Sequence, residues 1–124
     1  MRHFFKTVIV AATLTLSFAS VQAAELLMFE HKGCVVCKKF KAEMLPKYLN
    51  SKYAKVMPIR SIIGDDPDPY KGLELKGFPF IYSPTFVLVQ DGKELVRIQG
   101  FTGEKLFWQQ MENLYANHKD KFSS

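Results

Sequence analysis

The sequence predicts an α/β fold, a mixed four-stranded sheet with helices on both faces, contained in one small domain. Three observations predict it. Short apolar runs bounded by glycine, proline and charged residues recur at strand length, two longer stretches carry apolar residues at helical spacing, and an Asp-Gly pair joins the last two strand-like runs. Their order is strand, helix, strand, irregular piece, hairpin, helix.

The chain begins with MRHFFKTVIVAATLTLSFASVQA, which has the basic start, apolar middle and small-residue end of a secretory signal. Val8 to Ala19 is too short for a bilayer span, which takes roughly 20 apolar residues. The expected division is therefore a signal over 1–23, cleaved after Ala23, and a domain over 24–124. An uncleaved anchor or a buried amphipathic helix are the alternatives. The formal charge of the chain is +5, and loss of Arg2 and Lys6 leaves 15 basic residues against 12 acidic, a net +3. The lysines are scattered rather than grouped with aromatic residues, so a nucleic-acid footprint is not indicated.

Leu26 to Glu30 is read as a buried strand leading into His31-Lys32-Gly33. Cys34 to about Leu49 follows as a helix, with Cys37, Phe40, Met44, Leu45 and Tyr48 near one face. Pro46, inside that span, is expected to bend or interrupt it. Lys55 to Ile63 reads as the second strand, ended by Gly64 and the acidic, proline-rich stretch Asp65 to Pro69. That stretch is a solvated loop or, as the alternative, a recognition loop. Tyr70 to Phe78 is expected to hold a short helical piece between Gly72 and Gly77. Thr85 to Val89 and Leu95 to Gln99 form an antiparallel hairpin turned at Asp91-Gly92. Gly100 to Gly103 breaks the chain before the last helix, Glu104 to about Asn117, whose apolar face is Leu106, Phe107, Met111, Leu114 and Tyr115. Phe101, Phe107 and Trp108 read as core packing of that helix, with a partner-docking edge as the alternative.

Chemistry is concentrated at Gly33-Cys34-Val35-Val36-Cys37-Lys38, where strand gives way to helix. Cys34 and Cys37 are the only cysteines. A bridge between such near neighbours closes a tiny loop and removes little unfolded-state entropy, so the pair looks chemical rather than structural. At the helix start, unpaired N–H groups and the helix dipole favour a thiolate on the first sulfur. Because the thiolate is the attacking species, Cys34 takes the role of nucleophile and Cys37, one turn further in, that of resolving thiol. Val35 and Val36 give the site an apolar lip for substrate. Half of a zinc site is a rival reading, but tetrahedral zinc needs further ligands, and only His31 and His118 remain after the leader. An inert structural pair is the other rival. No metal and no cofactor are expected.

Ser83-Pro84-Thr85-Phe86 adds to this. A proline can open a strand, where its missing N–H is tolerated. In the cis form, Pro84 would stack beside the Cys34 sulfur and leave the Ser83 backbone free to pair with an extended substrate. A trans proline marking the strand start is the alternative.

Together these residues resemble the thioredoxin superfamily in its minimal form. Four departures stand out. No tryptophan precedes the motif, no proline separates the cysteines, a first strand and helix are lacking, and Met28 occupies the place of a buried aspartate. The last leaves proton transfer from Cys37 without an obvious group. Glu30 is the candidate, with a solvent-facing carboxylate at the strand end as the other reading. A closer resemblance is to SoxS-type periplasmic thioredoxins of sulfur-oxidation systems. It rests on F-E-H-K-G-C-x-x-C-x-x-F (Phe29 to Phe40), Y-S-P-T-F-V-L (Tyr82 to Leu88) and G-F-T-G-E-x-x-F-W (Gly100 to Trp108). That resemblance implies a periplasmic reductant of protein disulfides. It would keep the cysteine of a SoxY-like sulfur carrier active and draw electrons from a membrane thiol transporter of the CcdA or DsbD kind. The alternatives are a general periplasmic reductase serving cytochrome c maturation or isomerase recycling, and a non-catalytic binding module of the same fold.

Overall fold

A computed structural model describes residues 8–15 and 24–122. Most of the expected signal, including the cleavage position Ala23, lies outside the described residues, and residues 8–15 carry neither helix nor strand. Among the described residues no helix is long and apolar enough to cross a membrane.

The elements are β1 (Glu25–Glu30), α1 (Val35–Glu43), α2 (Leu45–Leu49), α3 (Lys52–Val56), β2 (Ile59–Ile63), β3 (Thr85–Gln90), β4 (Lys93–Gln99), α4 (Glu104–Asn117) and α5 (Lys119–Phe122). The strands form one sheet in the order β2-β1-β3-β4. β1 runs parallel to β2 and antiparallel to β3, and β3 and β4 are antiparallel. The predicted mixed four-stranded sheet is present.

Side chains alternate across a strand. Leu26, Met28, Phe86 and Leu88 point to the face carrying Cys37, Phe40, Met44 and Tyr48 of α1 and α2 and Phe107, Met111 and Leu114 of α4. Leu27, Phe29, Val87 and Val89 point to the other face, with Ile62 and Phe80. Burial on both faces is why β1 and β3 read as continuous apolar runs rather than alternating ones.

The second face, however, is not covered by helices as expected. There the sheet is closed by the stretch 64–84, which contributes Phe80, Leu73 and Leu75. The short helix expected within Tyr70 to Phe78 is likewise absent. Gly72 adopts φ +75°, and Gly77 and Pro79 follow, so no helical run of useful length is available. Instead the stretch is stitched to the hairpin. The Glu74 N–H donates to the Gly92 carbonyl (2.7 Å), and the Glu94 N–H donates to the Glu74 carbonyl (3.0 Å). Gly92 sits at φ +76° after Asp91 at φ +53°, the pair of positive angles a tight hairpin turn requires. A side chain at Gly92 would also collide with the Gly72 carbonyl.

Pro46 interrupts the motif helix as expected, with α1 ending at Glu43 and α2 beginning at Leu45. The second strand is shorter than expected. Lys55 and Val56 belong to α3, which follows Ser51 at the N-cap position, and the strand begins only after Pro58. The residue before a proline is pushed out of the helical region, and Met57 accordingly has φ −130° and ψ 69°. The last helix spans Glu104–Asn117 and buries Phe107, Met111 and Leu114, whereas Leu106 faces outward.

Candidate active site

β1 delivers the chain to a turn in which the Cys34 N–H donates to the His31 carbonyl (3.2 Å). Gly33 takes φ +82° there, a left-handed conformation that side chains other than glycine's disfavour. Cys34 is the N-cap of α1, with extended backbone (φ −68°, ψ 109°), and its sulfur accepts the Cys37 N–H at 3.1 Å. The first turn contains no acidic residue, while Lys32, Lys38 and Lys39 are exposed around it. A thiolate released on Cys34 would inherit a backbone N–H, the positive end of the helix dipole and a basic surround.

The two cysteines are joined in a disulfide with Cα atoms 5.3 Å apart. They differ in access: Cys37 is fully buried and Cys34 half-buried. Val35 and Val36, which follow the reachable sulfur in the chain, are exposed, and so are Ile81 and Tyr82 on the segment leading to Ser83.

The Ser83–Pro84 peptide bond is cis, and Pro84 is buried at the head of β3. The Ser83 carbonyl oxygen lies 3.6 Å from the Cys34 sulfur, and the Ser83 hydroxyl lies 3.2 Å from the Cys37 sulfur. That hydroxyl accepts the His31 N–H at 3.1 Å. His31 is held in turn by its Nε2, 2.7 Å from the Phe80 carbonyl, with its ring 5.3 Å from that of Phe80. The loop before β3 is thus pinned to the turn before α1, and the disulfide lies between them.

Glu30 is not the solvent-facing carboxylate of the alternative reading, being only 4% exposed. Oε1 is paired with the Lys41 ammonium at 2.6 Å, and Oε2 accepts the Ser61 hydroxyl. Among the described residues, neither oxygen hydrogen-bonds to a cysteine sulfur. The side chain that does reach the buried sulfur is that of Ser83, which sequence reasoning assigned only to substrate through its backbone. His31 and Phe80 were also missed as site residues. No local period signals these contacts, because they join segments about fifty positions apart. No cluster of three or more His, Cys, Asp or Glu residues among the described ones is arranged to hold a metal ion.

A half-exposed sulfur capping a helix, bonded to a buried second sulfur one turn in, defines a site for thiol–disulfide exchange. The thioredoxin-like domain family matches the chain over residues 19–115, and the protein belongs to that family. The crystal structure of the periplasmic thioredoxin SoxS from Paracoccus pantotrophus, in reduced form, is similar to it at 36% identity and a TM-score of 0.67, over 75% of this chain and 96% of that one. Thioredoxin f2 of Chlamydomonas reinhardtii shares the fold at 14% identity and a TM-score of 0.53, over 81% of this chain and 82% of that one. No curated protein matches the chain. Family, fold and motif together make the protein a thiol–disulfide oxidoreductase.

Proposed function

We propose that the protein is exported under the direction of residues 1–23 and that its domain, residues 24–124, reduces disulfides of other proteins in the periplasm. The observation that carries this reading is the Cys34 sulfur at the N-cap of α1, accepting the Cys37 N–H while its partner sulfur is buried. In the reduced protein the Cys34 thiolate attacks one sulfur of a partner disulfide. That bond breaks, the other partner sulfur leaves as a thiolate that takes up a proton, and Cys34 is left in a mixed disulfide. The Cys37 thiolate then attacks the Cys34 sulfur, re-forming the internal disulfide and releasing the second partner thiol. Two electrons pass from the dithiol to the partner.

The reducing direction is supported by the surroundings of Cys34. Strong oxidants need a highly stabilised thiolate, and here no histidine separates the cysteines while a carbonyl oxygen faces the nucleophilic sulfur. The leader and the similarity to a periplasmic thioredoxin support export. The partner we assign is a periplasmic protein with an accessible disulfide or modified cysteine, such as a SoxY-like sulfur carrier. Electrons would come from a membrane thiol transporter of the CcdA or DsbD kind.

Two experiments test this. The chain should accelerate precipitation of insulin by dithiothreitol, and no acceleration would leave a binding module. Terminal sequencing of exported protein should read Ala24-Glu25-Leu26, whereas a full-length, membrane-bound product would contradict the proposed processing.

A further inference from the structure

We infer that the Ser83 hydroxyl is a catalytic group for the second half of the exchange, donating a hydrogen bond to the Cys37 sulfur as that sulfur becomes the attacking thiolate. This rests on the dithiol reading above and assigns a role there to a side chain that the motif does not contain.

Cys37 poses the problem. It is fully buried, and burial disfavours the charged form of a thiol. Helix geometry gives it little help, because its own N–H is taken by the Cys34 sulfur. Nor does Glu30 supply a contact, since its two oxygens are engaged by Lys41 and Ser61.

Among the described residues, the Ser83 hydroxyl is the polar side-chain group that reaches this sulfur, and its neighbours set the direction of the bond. A hydroxyl has one hydrogen to give and two lone pairs to receive. The His31 N–H can only donate, so it occupies a lone pair at 3.1 Å. A disulfide sulfur carries no hydrogen and can only accept, so the hydroxyl hydrogen points at Cys37, 3.2 Å away. When Cys37 ionises, the same bond becomes charge-assisted and strengthens. The Ser83 carbonyl oxygen, meanwhile, is turned towards Cys34 at 3.6 Å. One residue therefore presents a donor to the resolving sulfur and an acceptor to the nucleophilic one, which favours negative charge on Cys37 once Cys34 is tied up in the mixed disulfide.

The chemistry balances without another reactant. The Cys37 thiol gives its proton to solvent, and the thiolate forms a bond to the Cys34 sulfur as the bond from Cys34 to the partner breaks. The partner sulfur departs with the electron pair and is protonated from solvent. Ser83 keeps its hydrogen throughout.

The test is single-turnover reaction of the reduced full-length protein with 5,5′-dithiobis(2-nitrobenzoate), which releases one coloured thiolate when Cys34 attacks and a second when Cys37 resolves. Ser83→Ala and Ser83→Thr are compared with the parent protein across pH, with the second phase read relative to the first. Loss of a charge-assisted hydrogen bond should cut the thiolate fraction below its titration point by about tenfold. The thiolate that remains is roughly threefold more nucleophilic, because nucleophilicity rises with basicity at a slope of about 0.4–0.5. Ser83→Ala should therefore resolve about threefold more slowly near neutral pH and about threefold faster at high pH, so the two profiles cross. Ser83→Thr, which keeps a hydroxyl, should follow the parent. A second phase that is indifferent to Ser83→Ala, or slowed equally at every pH as a displaced loop would make it, overturns the role of Ser83 and leaves the dithiol reading intact. Absence of a first release from the parent protein overturns both.

Discussion

The Lys41 ammonium lies 2.6 Å from Oε1 of Glu30, one helical turn beyond Cys37, and so ties the motif helix to the end of β1. Ser61 on β2 donates to the other carboxylate oxygen. Three elements, β1, α1 and β2, thus converge on one buried carboxylate. Removing one partner of such a group leaves a charge with too few contacts. Lys41→Met should therefore lower stability by about 1–3 kcal/mol, a range reduced because the lysine is partly exposed. Urea unfolding at neutral pH measures it, and an unchanged midpoint would deny the pair any structural role.

A second clasp holds the irregular stretch against the hairpin. Arg97 meets Glu94 through Nη2 to Oε1 (2.5 Å) and Nε to Oε2 (2.9 Å), and also donates to the carbonyls of Gly77 (2.9 Å) and Phe78 (3.1 Å). The Arg97 hydrogen bond holds the Glu94 carboxyl below the usual range against the opposing effect of burial, with help from the Lys76 N–H. The folded state therefore binds this proton less readily than the unfolded one. The stabilisation is complete above the ordinary carboxylate range and is lost as pH falls through the depressed folded value. Arg97→Leu should cost about 1–3 kcal/mol at neutral pH, with the gap from the parent narrowing in strong acid to what the two carbonyl contacts contribute. Paired urea titrations at the two pH values check this, and a gap independent of pH would contradict it.

The helical face of the sheet is held by aromatic packing. The Phe107 ring lies 5.1 Å from that of Phe40, 5.6 Å from that of Phe86 and 6.0 Å from that of Phe101. Phe107 is essentially inaccessible to solvent. Phe107→Ala should lower stability by about 3–5 kcal/mol, the usual loss for a buried ring that leaves a cavity. Thermal unfolding would show it, and a loss below about 1 kcal/mol would mean that the neighbouring rings collapse into the space.

What could be read from the sequence is what local chemistry decides. Pro46 splits the motif helix because its ring and missing N–H act on the preceding turn. Asp91-Gly92 makes the hairpin because both residues accept positive φ. Glu104 to Asn117 shows its helix through the spacing of Phe107, Met111 and Leu114. Cys34, Cys37 and Pro84 could be found because each occupies a recognisable place at the start of an element. Local chemistry also misled where tertiary packing decides. Lys55 and Val56 suit a strand, yet Ser51 and Pro58 bound a turn of helix around them. Nothing periodic within 64–84 announces that Leu73, Leu75 and Phe80 cover a sheet face, because they do so from turns. The contacts of Ser83 with His31 and Cys37 were invisible for the same reason: the cis loop and the motif meet only in the folded chain.

The central claim is that Cys34 attacks and Cys37 resolves, and trapping tests it most directly. Cys37→Ser removes the resolving sulfur and keeps the helix-capping one, so the reduced variant incubated with periplasmic protein should accumulate a mixed disulfide through Cys34. Cys34→Ser, with only the buried sulfur left, should accumulate none. Mass spectrometry of the adducts reads the attachment site. Adducts on Cys34 alone are the predicted result, and adducts found on Cys37 in Cys34→Ser but absent from Cys37→Ser would contradict the assignment.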